Sequence, residues 1–245
     1  MVLYLQIKIQ IKIQNLINSF CRIMNTPLMI DRSWVEDKYG FQVEELSRNL
    51  PLLYLKNFLT HDECQYLIEK GRKDLEPSTL IENGKKIVDS GRTSSTAFIT
   101  HNGKAPRDDV IITKLFEKIA DITGVTTKHI EAMNIVHYAE GQQYEYHYDY
   151  FRKEHTQFLI PAGNRKYTFF IYLNTVNEED GGATHFSKLD IKTQPKEGDA
   201  VFWPNLGEDG EFLDETEHKG CPIREGSGVE KWGGNIWVRE KSFYS

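Results

Sequence analysis

Residues 7–14 read IKIQIKIQ, a strict alternation of apolar and polar side chains. Successive side chains of an extended strand point to opposite faces, so the pattern predicts a strand with one apolar face, sticky if left unpaired. A denser apolar run, LPLLYLKNFL at residues 50–59, also suits a strand. It leads into Thr60, His61, Asp62 and Glu63, where a threonine three residues ahead of a glutamate forms a capping-box signature and a helix should begin. Cys64, Leu67 and Ile68 give that helix one buried stripe, while Lys70, Arg72 and Lys73 fall on its solvated side near the C-terminal end of its dipole. A second helix is predicted to open at Asp108 and Asp109, with Ile111, Leu115, Ile119 and Ile122 at near-helical spacing and Gly124 as its stop.

From Ile130 onward the pattern changes to short β-branched and aromatic runs separated by Gly, Pro and Asn clusters. Strands are expected at 131–138, 143–150, 167–173, 184–188, 200–203, 219–224 and 234–240, as in an antiparallel sandwich or barrel. The simplest architecture is mostly β with flanking helices, an α+β arrangement in which two helices pack outside a double-stranded β-helix, or jelly roll. Residues 1–24 are expected to be an N-terminal extension, either an accessory edge strand or dispensable, and 25–245 a single domain with its jelly roll at about 130–245. Residues 208–217 carry six acidic side chains and read as a solvated loop.

Composition narrows the classes. A net charge of -6 gives no basic footprint for a polyanion, which argues against nucleic acid or an anionic membrane as the main partner. Cys21, Cys64 and Cys221 lack the even count and spacing of a disulfide framework or zinc module, so they read as thiols in a reducing compartment. Lys8 and Lys12 interrupt the N-terminal apolar residues and no apolar run reaches transmembrane length, so a cytoplasmic or otherwise intracellular soluble protein is expected.

The most informative chemistry lies at His147 and Asp149, in the aromatic run YEYHYDYF at 144–151. On a strand, residues two apart share a face, so one imidazole and one carboxylate converge, as in two corners of the two-histidine, one-carboxylate triad that leaves positions open on ferrous iron. Alone, such a pair is usually a surface hydrogen bond. Of the other histidines, at 61, 101, 129, 137, 155, 185 and 218, His218 is the best third ligand, since facing strands of two sheets bring distant residues together. His185 is the rival, but it should point to the opposite face from Thr184; a histidine before Gly220, Cys221 and Pro222 equally suits a turn cap. A metal-bound organic acid would leave a second carboxylate inside the barrel needing a cation. Lys231 can supply it, with Tyr138 and Thr184 as hydroxyl donors.

Together these residues resemble the prolyl 4-hydroxylase family of Fe(II)- and 2-oxoglutarate-dependent dioxygenases. The resemblance runs in order through Tyr138, GQQYEYHYD at 141–149, Arg165 with Thr168, YLN at 172–174, GGATHF at 181–186, Pro195, the Gly198-Asp199-Ala200 turn, Phe202, HKGCPI at 218–223, Lys231 with Trp232, and Trp237. Upstream, GRTSS at 91–95 resembles the segment before the family's catalytic core. The resemblance implies His147, Asp149 and His218 as iron ligands, and Lys231, Thr184 and Tyr138 as contacts to the distal carboxylate of 2-oxoglutarate. It further implies a peptide groove lined by Arg165, Tyr144 and Trp237, with Glu131, Arg92 and Ser94 as weaker transfers; core packing or a sheet-surface ion pair would equally explain several of these. The implied reaction consumes 2-oxoglutarate and O2, releases succinate and CO2, and hydroxylates a proline-containing peptide at proline C4, with ascorbate rescuing uncoupled turnover.

Two departures from the family bear on this. Residues 226–230, GSGVE, lengthen the connection ahead of Lys231, so the hairpin must bulge outward or Arg224 or Arg239 takes over the cosubstrate. Residues 152–164, near the substrate mouth, match no family feature, and loops of this kind choose the substrate. A sister oxygenase acting on another residue or a small molecule, and a non-catalytic metal-binding jelly roll, stay open as alternatives.

Overall fold

The computed structural model describes residues 32–47, 50–82, 85–100, 108–152 and 157–243. The alternating segment at 7–14, Cys21, the whole 1–24 extension, His101 and His155 lie outside the described residues.

The described residues contain three α-helices: α1 (Arg32–Tyr39), α2 (His61–Arg72) and α3 (Val110–Thr123). The strands are β1 (Gln42–Ser47), β2 (Leu52–Lys56), β3 (Glu76–Pro77), β4 (Leu80–Glu82), β5 (Lys85–Ile87), β6 (Ser95–Phe98), β7 (Asn134–Tyr138), β8 (Tyr144–His147), β9 (Arg165–Tyr172), β10 (Thr184–Phe186), β11 (Ile191–Thr193), β12 (Ala200–Pro204), β13 (His218–Gly220) and β14 (Lys231–Arg239). An eight-stranded sheet in the order β1-β2-β12-β9-β14-β7-β6-β3 faces a four-stranded sheet in the order β11-β10-β13-β8, and all pairings within them are antiparallel. This is a jelly roll with helices against the outer face of the larger sheet.

Strand β9 shows why three layers form. Its sequence, RKYTFFIY, is apolar on both faces. Phe169 and Ile171 join the helix-side core with Leu67, Ile112 and Ile119, while Phe170 and Tyr172 join the core between the sheets with Phe186, Trp203 and Ile223. Side chains of this size each contribute roughly 1.5–3 kcal/mol when fully buried, so a doubly covered central strand anchors both layers. Helix α2 lies close enough to the sheet that a Cβ on its Gly71 would meet Ile135 at 2.7 Å.

The capping signal is realised: Glu63 N–H donates to Thr60 Oγ1 and Thr60 N–H donates to Glu63 Oε2 at 2.8 Å. Such a cap contributes about 1 kcal/mol. Asp109 caps α3, whose last turn closes on Gly124 at φ 68°. The expected stripe on α3 is buried at Leu115, Ile119 and Ile122; at its start Ile112 is buried instead of Ile111, which is half-buried.

Several boundaries differ from the sequence reading. Helix α1 and strands β1, β3, β4, β5, β6 and β11 were not anticipated, because they are short and carry polar or mixed patterns such as QVEELS in β1. The strand expected over 219–224 is reduced to His218–Gly220, since Pro222 has no N–H to offer a ladder. That expected from 234 begins already at Lys231. The acidic segment is not wholly solvated: Phe212 stacks on Tyr150 at a centroid distance of 4.3 Å and Thr216 is buried. Among the described residues no helix is long and apolar enough to cross a membrane.

Candidate active site

His147 ends β8 and His218 starts β13, and the two are direct cross-strand partners in the smaller sheet. Their ring centroids are 4.3 Å apart. The sequence argument placed them on facing sheets; they are neighbours in one sheet. Asp149 was expected on the same strand as His147, but β8 stops at His147 and Asp149 sits in the bend beyond it. Leaving the strand turns the carboxylate inward, to 3.9 Å from the Nε2 atoms of both His147 and His218. The three donor atoms lie within 4.8 Å of one another, and no other such group occurs among the described residues. An ion bonded at about 2.1 Å needs adjacent donors roughly 3 Å apart, so a contraction of about an ångström would close the group. Two imidazole nitrogens with one carboxylate oxygen suit non-haem iron.

Both imidazoles are held in the tautomer this requires. His147 Nδ1 is 2.7 Å from the carbonyl of Glu145 and His218 Nδ1 is 2.8 Å from that of Thr216. A carbonyl can only accept, so each Nδ1 carries hydrogen and each Nε2 presents its lone pair. Burial pushes His147 down to about 3, with His218 acting in the same direction, so the ring is neutral at physiological pH. Burial opposes ionisation of Asp149, yet its carboxyl is held below the ordinary range, with the Arg165 guanidinium and the Thr168 hydroxyl among the groups that favour the charged form. Thr168 Oγ1 donates to Asp149 Oδ2 at 2.8 Å and accepts from Asn205 Nδ2 at 2.9 Å, while Trp203 Nε1 donates to Asn205 Oδ1. The sequence reading matched Thr168 to the family pattern without giving it a role. Its signal was available: a short hydroxyl side chain set among aromatic residues of a central strand needs a buried partner.

Beside the triad the larger sheet carries Lys231, 1 % exposed, paired in register with Tyr138 across β14 and β7. Its ammonium is surrounded by the rings of Tyr138, Phe170 and Tyr172, with Nζ 5.3, 5.1 and 5.6 Å from their centroids. Nζ donates to the Gly182 carbonyl at 2.6 Å, and among the described residues no carboxylate pairs with it. Burial consequently pushes Lys231 down to about 7. Thr184 is buried beside this pocket, accepting from the Tyr172 hydroxyl at 3.0 Å; Tyr172 also reaches Thr193 Oγ1 at 2.6 Å. The Tyr138 hydroxyl lies 3.2 Å from where a Cβ on Gly220 would sit, two residues from His218, so the pocket and the triad adjoin. Burial pushes Tyr138 up to about 12. Gly182, at φ 72°, brings its carbonyl to the lysine where a side chain would strike Ile223 at 2.7 Å.

The inserted residues 226–230 do bulge outward. The Glu140 carboxylate accepts from the N–H of Gly226 at 2.8 Å and from that of Gly228, pinning the bulge ahead of β14. Arg224 is paired with Asp180 at 2.9 Å, and Arg239 with Glu131 at 2.9 Å, so neither competes with Lys231 for the pocket.

The groove residues form two groups. Tyr144 stacks on His147 at 3.5 Å and 15°, and the Arg92 guanidinium lies over Tyr144 at 4.7 Å. Ser94 is buried behind them, sharing a hydrogen bond with Ser78 at 2.8 Å. On the other side Arg165 lies over Trp237, its Cζ 3.5 Å from the ring centroid, and donates to both oxygens of Glu131 at 2.8 and 2.9 Å. The Arg165 and Glu131 side chains are 16 % and 15 % exposed, and Trp237 beneath them is buried. The rival histidine, His185, is elsewhere: it pairs with Lys219 and binds the Tyr146 hydroxyl at 2.8 Å.

Comparison with known proteins agrees with this arrangement. The family model of the 2OG-Fe(II) oxygenase superfamily matches residues 133–239. Probable prolyl 4-hydroxylase 10 of Arabidopsis thaliana is 32% identical over 75% of this chain, which spans 66% of that relative's length. Prolyl 4-hydroxylase 1 of the same plant is 30% identical, covering 90% of this chain and 83% of the relative. Among solved structures, the viral collagen prolyl hydroxylase from Paramecium Bursaria Chlorella virus-1, in complex with 2OG, superposes with a TM-score of 0.60 at 25% identity, covering 77% of this chain and 95% of that one.

Proposed function

The chain belongs to the prolyl 4-hydroxylase family within the 2OG-Fe(II) oxygenase superfamily, and on that premise we propose that it hydroxylates proline in a peptide substrate, using Fe(II), 2-oxoglutarate and O2. The observation that carries the reading is Lys231, a buried ammonium with no counter-ion among the described residues, set beside the His-Asp-His group. A metal clip alone has no use for such a cation; a dicarboxylate cosubstrate does.

His147, Asp149 and His218 would hold the iron through two Nε2 atoms and one carboxylate oxygen, leaving positions open for cosubstrate and oxygen. Iron and 2-oxoglutarate, when bound, supply the oxidising power, with succinate and CO2 as the cosubstrate's products. The chain's own residues provide placement. Lys231 would neutralise the distal carboxylate, and the hydroxyls of Tyr138 and Thr184 would orient it. Tyr138, Phe170 and Tyr172 exclude water from that pocket, which strengthens the ion pair formed there. Thr168 fixes one carboxylate oxygen of Asp149, leaving the other toward His147. Arg165 over Trp237, and Tyr144 over His147, offer flat faces and a guanidinium to a peptide carrying the reacting proline.

The test is incubation of purified protein with Fe(II), 2-oxoglutarate, ascorbate and an oligoproline peptide, followed by mass spectrometry and succinate assay. The expected result is one added oxygen on proline with matching succinate. Succinate release with no oxygen gained by any of a panel of proline-rich peptides would remove the prolyl assignment.

A further inference from the structure

The turn at 157–163 belongs to the segment that matched no family feature, yet one buried side chain ties it to Arg165, proposed above to meet the peptide. Arg239, last residue of β14 and 5 % exposed, hydrogen-bonds through all three of its nitrogens. Nη1 donates to Glu131 Oε1 at 2.9 Å; Nε donates to the Gly163 carbonyl at 2.9 Å; Nη2 donates to Gly163 O at 2.5 Å and to the carbonyl of Phe158. Glu131 is the same carboxylate that holds Arg165 over Trp237, and Arg165 Nη1 in turn reaches toward the Asp149 carbonyl at 3.4 Å. Phe151 lies between the two guanidiniums, 4.7 Å from Arg165 and 5.1 Å from Arg239, and stacks on Phe158 at 5.4 Å.

We propose that Arg239 is a positioning residue for substrate recognition: through Glu131 it sets the orientation of Arg165, and through the carbonyls of Phe158 and Gly163 it sets the rim turn relative to that arginine. The proposal rests on the peptidyl-proline reading for its choice of substrate. Planarity is what the role needs, because three acceptors lie around one guanidinium, and a lysine could serve only some of them. The turn has its own base, since Asn164 N–H donates to Glu240 Oε2 at 2.5 Å and Lys241 N–H to Ala162 O at 2.8 Å. Loss of Arg239 therefore frees the turn and Arg165 from each other without detaching the turn from the chain. Ile160 in this turn is 80 % exposed, an apolar side chain offered to solvent at the rim.

The experiment compares wild type with Arg239→Met and Arg239→Lys. It reads steady-state kinetics with an oligoproline decamer, the KM for 2-oxoglutarate, and amide hydrogen exchange. Misplacement by about an ångström costs up to roughly a hundredfold; the expected result is a peptide KM raised about tenfold in both variants, with kcat and the 2-oxoglutarate KM within about twofold. Exchange should quicken at 162–165 and stay unchanged in β9 beyond Tyr167. An unchanged peptide KM, or a 2-oxoglutarate KM that rises in parallel, would overturn the proposal; so would failure of both variants to fold, which would make Arg239 a general structural residue. If wild type turns over no prolyl peptide, the peptidyl-proline reading fails instead, and exchange alone decides: quickening confined to 162–165 supports Arg239's role and an unchanged profile removes it.

Discussion

Buried Lys231 and the pair of half-buried Arg165 and buried Arg239 are cations of the same jelly roll, on β14 and its neighbour β9, and their surroundings could hardly differ more. Around Lys231 stand three aromatic rings and one carbonyl, with Cys221 near and, among the described residues, no carboxylate. The two arginines share Glu131 and add backbone carbonyls. A buried charge is tolerable when paired and costs several kcal/mol when not. The arginine site is therefore complete as folded, whereas the lysine site gains its counter-charge only with a ligand. Glu131 shows the same contrast from the other side: burial opposes its ionisation, yet Arg165 and then Arg239 hold its carboxyl below the ordinary range.

The sharpest way to break this comparison is to remove the shared carboxylate. Glu131→Gln leaves two guanidiniums facing each other across a neutral amide, and the expected loss is about 3–5 kcal/mol of folding stability, measured by urea unfolding. Lys231→Met should instead leave ligand-free stability equal or higher, as an unpaired buried cation is replaced by an apolar chain of similar length. Destabilisation by both changes alike would erase the distinction.

A pH series examines the same point without mutation. Lys231 sits near 7 in the folded, ligand-free chain, against an ordinary value of 10.5. Between those values the unfolded chain binds the extra proton, so this group makes stability rise with pH across the window, by up to about 1.4 kcal/mol per pH unit. Below pH 7 both states are protonated and its contribution is flat. The rise should vanish in Lys231→Met, and 2-oxoglutarate binding at pH 8 should take up protons, seen as a binding enthalpy that varies with the buffer's ionisation enthalpy. A smaller effect is expected at the metal end. Thr168→Val leaves one oxygen of Asp149 without its donor, and Fe(II) affinity should fall roughly tenfold with the fold intact; unchanged affinity would show that Asn205 and Trp203 do not tune the triad through Thr168.

Much of this was readable in the chain because the relevant signals are local or chemically costly. The capping box at Thr60 and the stop at Gly124 act within one turn, and both appear where the residues place them. Lys231 came into view because a second carboxylate inside the barrel would need a cation, although the strand that carries it was expected to begin only at 234. What escaped depends on partners distant in sequence. Strand alternation brought His147 and Asp149 into view, yet Asp149 converges because the chain leaves β8 one residue earlier. The direct pairing of His147 with His218 is a matter of register between β8 and β13, which no local pattern encodes. Arg239 was considered only as a stand-in for Lys231; its link to Glu131 spans 108 residues. Strand β1 and helix α1 were missed because edge elements with mixed polarity carry weak periodicity.

Calorimetric titration of 2-oxoglutarate into the metal-loaded protein, with Mn(II) in place of iron to prevent turnover, tests the account most directly. Wild type should bind only when metal is present, and Lys231→Met should bind at least about a hundredfold more weakly, a difference of roughly 2.7 kcal/mol, while Lys219→Met binds as wild type. Equal affinities for wild type and Lys231→Met would contradict the central claim that the unpaired lysine beside the His-Asp-His group is the cosubstrate's anchor.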